Sequence, residues 1–302
     1  MLPADYLKRL RQVEVRARVV SEQLMGGRLS SVFKGRGMDF ADVREYVPGD
    51  DVRRIDWNVT ARLRKPYIKR HIEERELVVM LLVDVSASGH FGTAEGNSSP
   101  AATKRELAAI LAGALAFSAV REGDRVGLIT FSDRVERFVP PRKTRSHVTR
   151  LLHELLFTTP KSGGTALKVA FNFLNNLLHR PALVFVVSDF HDADDAAWTQ
   201  ALKATNQRHE VIALRLVDPR ELDLPNVGWV RVQDAETGEV RELNTGDPSV
   251  RTAYATAAQQ RADAFRAVCR LSGIPDLNLR MDEPWPQKVQ RFLDTAAKRR
   301  VA

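Results

Sequence analysis

From Leu77 onward, short unbroken apolar runs alternate with longer stretches of helical periodicity. "LVVMLLVD", "RVGLITFS", "ALVFVVSD" and "HEVIALRLVD" have strand length and little polar alternation, the pattern of strands buried on both faces. Between them, "ATKRELAAILAGALAFSAVREG" predicts a strongly amphipathic helix, and "SHVTRLLHELLF", "TALKVAFNFLNNLLH" and residues 194–206 predict three more. "RVERFVPP" predicts a further strand, set off from "RVGLITFS" by a tight turn at Ser132 and Asp133. Strands alternating with helices in this way predict an α/β fold: a doubly wound, mostly parallel sheet covered on both faces.

The flanks read differently. Tyr6, Leu7, Leu10, Val13, Ala17, Val20 and Leu24 recur near a 3.6 period, so residues 4–24 predict a helix stopped by Gly26 and Gly27. Residues 28–76 are glycine-punctuated and charged, with "YVPGDD" as a turn. They predict short strands or ribbons, for example near 28–34 and 67–74. Here Tyr46 and Trp57 have rings able to bury beside the sheet while keeping a polar handle. Asp50, Asp51, Arg53, Arg54, Asp56 and Arg62 can pair among themselves, and the run reads equally as a structural ribbon or as a docking surface for a partner protein. At the other end, "GWVRVQDAETGEVREL" predicts a hairpin turning at Thr237 and Gly238, followed by helices over about 248–271 and 285–298. The organisation expected is an N-terminal helix and charged β-ribbon over 1–76, the α/β domain over 77–218, and a hairpin with C-terminal helices over 219–302.

Composition narrows the class. A 44% hydrophobic, 28% charged chain of 302 residues has an ordinary globular balance. No apolar run approaches the ~18 residues that span a bilayer, and no secretory leader is visible. The single cysteine, Cys269, excludes an intramolecular disulfide and reads as a small buried apolar residue. A cytoplasmic protein is expected, with peripheral attachment to the inner membrane as the variant. The net charge is +8, and residues 1–75 hold most of the excess, with 17 Lys and Arg against 11 Asp and Glu. The two signs interleave, as on a solvated, paired surface, rather than forming a basic block.

Candidate chemistry sits at strand ends. "LVVMLLVDVSAS" ends a strand on Asp84 and then presents Ser86 and Ser88 at alternate positions. "VVSD" ends another strand on Asp189, and "KSGGTAL" sets Thr165 behind two glycines at the start of a helix. Carboxylates and hydroxyls are hard oxygen ligands suited to Mg²⁺ or Mn²⁺. Open α/β sheets bind ligands beyond the carboxyl ends of their strands, where the strand order reverses. If the Asp84 and Asp189 strands are neighbours at that point, five oxygen-bearing side chains converge; the bland alternative is that the two aspartates cap turns or helices. Elsewhere, "DADDAAW" after His191 reads as an acidic helix-capping cluster including Asp192, Asp194 and Asp195. His153 reads as a satisfied core or boundary histidine. Arg134, Arg137, Arg142, Lys143 and Arg145 read as a solvated basic loop.

"DVSAS", "GGT" and "SD", in this order with helices between, resemble the metal-ion-dependent adhesion site of von Willebrand factor A-like domains, over about residues 77–218. The resemblance implies Ser86, Ser88 and Thr165 as direct ligands, Asp84 and Asp189 as acid partners acting through water or from behind, and an acidic side chain of a bound protein at the open position. "GRGMDFADVREYVPGDDVRRIDWNVTARLRKPYIKRHIEERE" is similar to the bacterial family called domain of unknown function fifty-eight. Its relatives are typically encoded beside a MoxR-type AAA+ ATPase, which implies a chaperone-like pairing. Many carry membrane-spanning helices before this stretch, whereas here 26 residues of amphipathic pattern precede Gly27.

The leading expectation is a non-enzymatic, metal-dependent protein-interaction module. A metal-dependent hydrolase or phosphatase on the same site is the alternative. Against it, the chain has Ser86 where aspartyl phosphatases place a second acid, and it has no GxxxxGK[ST] phosphate loop. Nucleic-acid binding through the basic first quarter is weakest, since no interleaved aromatics or reader motif support it.

Overall fold

The computed structural model describes residues 4–24, 43–52, 55–69, 76–90, 103–161, 164–192, 195–233 and 238–298. The ribbon strand expected near 28–34 and the hairpin turn at Thr237 lie outside them, as do the charges of Arg53 and Arg54.

Six strands form the central sheet: β3 (Val78–Asp84), β4 (Arg125–Phe131), β5 (Val135–Arg142), β6 (Leu183–Ser188), β7 (Glu210–Val217) and β10 (Asp276–Arg280). Their order is β10-β7-β6-β3-β4-β5. All neighbours are parallel except β4 and β5, which form an antiparallel hairpin. The chain runs outward from β3 through β4 to β5, then returns to place β6 on the opposite side of β3. The strand order therefore reverses between β3 and β6, the two strands that end in Asp84 and just before Asp189.

Alternation along β3 assigns the two faces. Val79, Leu81 and Val83 belong to one core cluster, with residues of α1 (Ala4–Leu24), α3 (Lys104–Arg121), α4 (Arg145–Phe157) and α8 (Trp285–Lys298). Met80 and Leu82 belong to the other, with residues of α5 (Leu167–Leu177), α6 (Asp195–Arg208) and α7 (Pro248–Leu271). Cys269 is fully buried in this second cluster, and burial pushes its thiol up to about 12.

Two elements differ from the sequence reading. The helix expected to be amphipathic, α3, is buried without interruption from Lys104 to Ala119. The reason is tertiary: α1 lays Val13, Ala17, Val20 and Leu24 over the side that would otherwise face water. Ser21 and Ser118 meet in that contact, hydroxyl to hydroxyl at 3.1 Å. Strand β10, between the last two helices, was not expected; it pairs with β7 and makes the C-terminal segment part of the sheet.

The N-terminal ribbon pairs β1 (Val43–Glu45) with β2 (Tyr67–Lys69) in antiparallel register. Helix α2 (Trp57–Leu63) lies between them, its first amides capped by Asp56 at 3.0 and 3.2 Å. The expectation that Trp57 buries its ring is corrected: it is 68% exposed, because α2 has no buried residue through which to dock. Asp50, like Asp56, accepts from a backbone amide, that of Val47, at 3.0 Å. A second ribbon, β8 (Trp229–Gln233) with β9 (Val240–Asn244), is the expected hairpin.

At the start of β3 the Leu77 amide donates to Asp124 Oδ1 at 3.0 Å. Burial raises the Asp124 carboxyl to about 6, although that bond works against the rise. A folded-state pKa above the unfolded value means the contribution to stability is full below about pH 4 and is lost as pH rises through about 6. Asp124→Asn keeps an acceptor for Leu77 and removes the charge. It should raise stability at pH 8 by about 1 kcal/mol, after allowance for partial exposure, and flatten the pH 4–6 slope. Denaturant melts across that range measure both.

Candidate metal centre

Beyond the last hydrogen bonds of β3 the backbone bends, and Asp84 organises the bend. Its Oδ1 accepts the Ser86 amide at 2.9 Å, and its Oδ2 accepts the Ser188 hydroxyl, from the end of β6, at 2.7 Å. Ser86 and Ser88 bring their hydroxyls within 3.0 Å of each other. Ser188 in turn accepts the Phe190 amide at 2.9 Å. Phe190 has φ +57, a left-handed conformation uncommon for a bulky residue. Its buried ring is held between Phe265 and Trp198, at 4.5 and 6.1 Å, which is what over-determines the strained backbone.

Asp189 sits inside that turn, 5% exposed. Its Oδ1 accepts the His191 amide at 3.2 Å and its Oδ2 accepts the Lys104 ammonium at 2.8 Å. Lys104, 2% exposed at the first position of α3, also donates to Glu221 at 2.5 Å. Arg215 on β7 donates from Nε to the Asp189 carbonyl at 3.1 Å while its guanidinium lies over Phe265. Asp84, Ser88, Lys104, Ser188 and Asp189 line one small cavity of about 20 Å³, room for roughly one water-sized occupant.

The two carboxylates are driven apart electrostatically. Burial, reinforced by repulsion from Asp189, raises Asp84 to about 7 against the pull of its hydrogen bonds. Burial alone would also raise Asp189, but the Lys104 ammonium first, then His191 and the Ser88 hydroxyl, bring it down to about 2. Burial works to lower the Lys104 pKa, and Asp189 and Glu221 together outweigh it, so the ammonium is held above its ordinary value.

Of the five residues singled out from the sequence, Asp84, Ser86, Ser88 and Asp189 are gathered here. Thr165 lies at the same edge of the sheet, beside the end of β4, where the Ala166 amide donates to the Ser132 carbonyl at 2.9 Å. Lys104, Glu221, Arg215 and Ser188 were not foreseen. One signal for Lys104 was present: "TKRE" sets two basic residues in the first turn of a helix, where the helix dipole disfavours cations.

The secondary candidates resolve locally. Asp192 Oδ2 accepts the Leu167 amide of α5 at 2.9 Å, at an N-terminus where Ala166 supplies no side-chain cap; Asp194, of the expected capping cluster, lies outside the described residues. His153 is satisfied as expected, by the Tyr6 hydroxyl at 2.8 Å. In the basic loop Arg134 pairs with Asp133, Arg137 with Glu154 and Lys143 with Glu76.

The class this defines is a doubly wound α/β domain with hydroxyls and carboxylates collected at the reversal of its strand order. The chain belongs to the family described as Protein of unknown function DUF58, which matches residues 42–264. An uncharacterised protein of Mycobacterium tuberculosis is 37% identical over 296 residues, covering 97% of this chain and 90% of the relative. Among solved structures, an aerotolerance-related membrane protein from Bacteroides fragilis aligns with a TM-score of 0.49 at 16% identity, over 74% of this chain and 99% of that one. A von Willebrand factor type A protein from Catenulispora acidiphila aligns with a TM-score of 0.37 at 11% identity, over 77% and 43%. Among the described residues no helix is long and apolar enough to cross a membrane.

Proposed function

We propose that this chain is a non-enzymatic, metal-dependent protein-interaction module of the cytoplasm or the inner-membrane periphery. In this reading Ser86, Ser88 and Thr165 are the direct ligands of Mg²⁺ or Mn²⁺, and Asp84 and Asp189 are its acid partners. The bound ion would offer an open position to an Asp or Glu of a partner protein. The partner we propose is a MoxR-type AAA+ ATPase, the pairing that the resemblance of residues 35–76 to the domain-of-unknown-function family implies.

The observation that carries the reading is the meeting of Asp84 and Asp189 on neighbouring strand ends at the reversal point, with two serine hydroxyls alongside. The donor set fits a hard divalent cation. The charge balance fits it too: both Asp84 oxygens accept from neutral donors, and the repulsion from Asp189 that helps hold Asp84 near 7 is the kind a cation relieves. The protein's own contribution is to fix these oxygens before any ion arrives, through the Ser86 amide and the Ser188 hydroxyl.

The test is capture of the ATPase from native lysate with and without chelator. Chelation should abolish it. Ser86→Ala combined with Ser88→Ala should weaken it by more than the ~10–100-fold typical of losing an outer-shell partner, with the circular dichroism spectrum unchanged. Capture undiminished by both treatments would reject the reading.

A further inference from the structure

Lys104 is a buried cation standing where a divalent ion would exert its charge. Nothing in local propensity favours it there. The start of a helix repels positive charge, and burying an ammonium requires carboxylates to compensate it. It has two. Asp189 lies on one side at 2.8 Å and Glu221 on the other at 2.5 Å. Glu221 is itself fixed. Its Oε2 accepts the Asp218 amide at 3.1 Å, closing a capping box on the short 3₁₀ turn Pro219–Glu221, so its Oε1 faces the lysine as a stationary acceptor.

We infer that Lys104 is a tethered counter-cation that competes with the divalent ion for Asp189, and that Glu221 is the second berth onto which its ammonium withdraws when the ion binds. This rests on the metal reading above and adds its regulation. Two cations cannot both sit against one carboxylate without strong repulsion in a buried setting. Loading the site therefore breaks or lengthens the Lys104–Asp189 contact, and the four-carbon lysine stem allows the shift toward Glu221 without movement of the helix. By linkage, whatever strengthens the Lys104–Asp189 contact weakens the metal, and the metal weakens that contact equally. The incoming acidic residue of a partner adds negative charge on the ion's far side, so ion and partner favour each other's arrival.

The experiment is a Mn²⁺ titration of the full chain, with free Mn²⁺ followed by electron paramagnetic resonance, on wild type, Lys104→Met and Glu221→Gln. Lys104→Met should bind at least about tenfold tighter than wild type, and Glu221→Gln, which leaves Asp189 as the one carboxylate paired with the ammonium, about tenfold weaker. A second readout separates displacement from a general field effect. Amine-reactive labelling of Lys104 in wild type, read by mass spectrometry, should rise with Mn²⁺ over the same concentration range as binding. Wild-type binding combined with an unchanged or weaker Lys104→Met, or with Lys104 labelling indifferent to Mn²⁺, overturns the inference and leaves the metal reading standing. Absence of Mn²⁺ binding in all three proteins overturns both. If Lys104→Met does not fold without metal, Glu221→Gln decides: a folded variant with wild-type Mn²⁺ affinity overturns the competition.

Discussion

Gly113→Val is expected to destabilise the protein by about 3 kcal/mol, the upper range for overpacking a filled interior. Gly113 lies mid-helix in α3, where glycine is ordinarily about 1 kcal/mol worse than alanine. It is tolerated there because a Cβ would lie 2.9 Å from the Ala17 Cβ of α1 and 2.7 Å from a Leu152 methyl of α4. Leu152 can rotate away, but Ala17 has no rotamer to change. The clash falls on the packing of α1, so the loss should be borne by the N-terminal helix. Hydrogen exchange should show protection lost first across residues 13–24, with the β3 and β6 amides still protected. A variant within 0.5 kcal/mol of wild type, about the effect of an ordinary surface change, would mean that α1 sits on α3 more loosely than these distances require.

This contact also marks where the sequence stopped being legible. The strands were readable because their apolar runs are continuous: Val79–Val83 and Leu183–Val187 are buried on both faces, and such runs admit little else. The meeting of Asp84 with Asp189 was readable because α/β connectivity restricts which strands can be neighbours. Burial of α3 was not readable. Its small residues, Ala108, Ala109, Ala112, Gly113, Ala114, Ala116 and Ala119, mark a close helix approach only once a partner is known, and the partner lies 97 residues away in sequence at the Ser21–Ser118 contact. Strand β10 does not show in the pattern because "DLNLR" alternates over five residues with three polar positions, too short and too polar to stand out from a loop. Trp57 was misjudged because an aromatic ring has strong general preferences for burial, while its actual exposure depends on whether α2 finds a surface to pack on.

Lys104→Met, in chelator and at neutral pH, should cost about 3–5 kcal/mol, the range for breaking a buried ion pair by removing one partner. The lysine and aspartate side chains are 3% and 4% exposed, so solvent does little to screen the charge left behind. Deleting the ammonium strands the Asp189 carboxylate beside Asp84, whose own charge is already resisted. Most of the cost should return in Lys104→Met with Asp189→Asn, because an amide fills the same space, still accepts from the His191 amide, and carries no charge. A double-mutant cycle in denaturant isolates the pair, since each single change removes the contact and the double change removes both charges. A coupling energy below about 1 kcal/mol, the range of a solvent-exposed pair, would show that Lys104 is not the cation balancing this site. A large coupling would establish that the strand-end carboxylates fold against a cation supplied by the chain itself, which any metal must then displace.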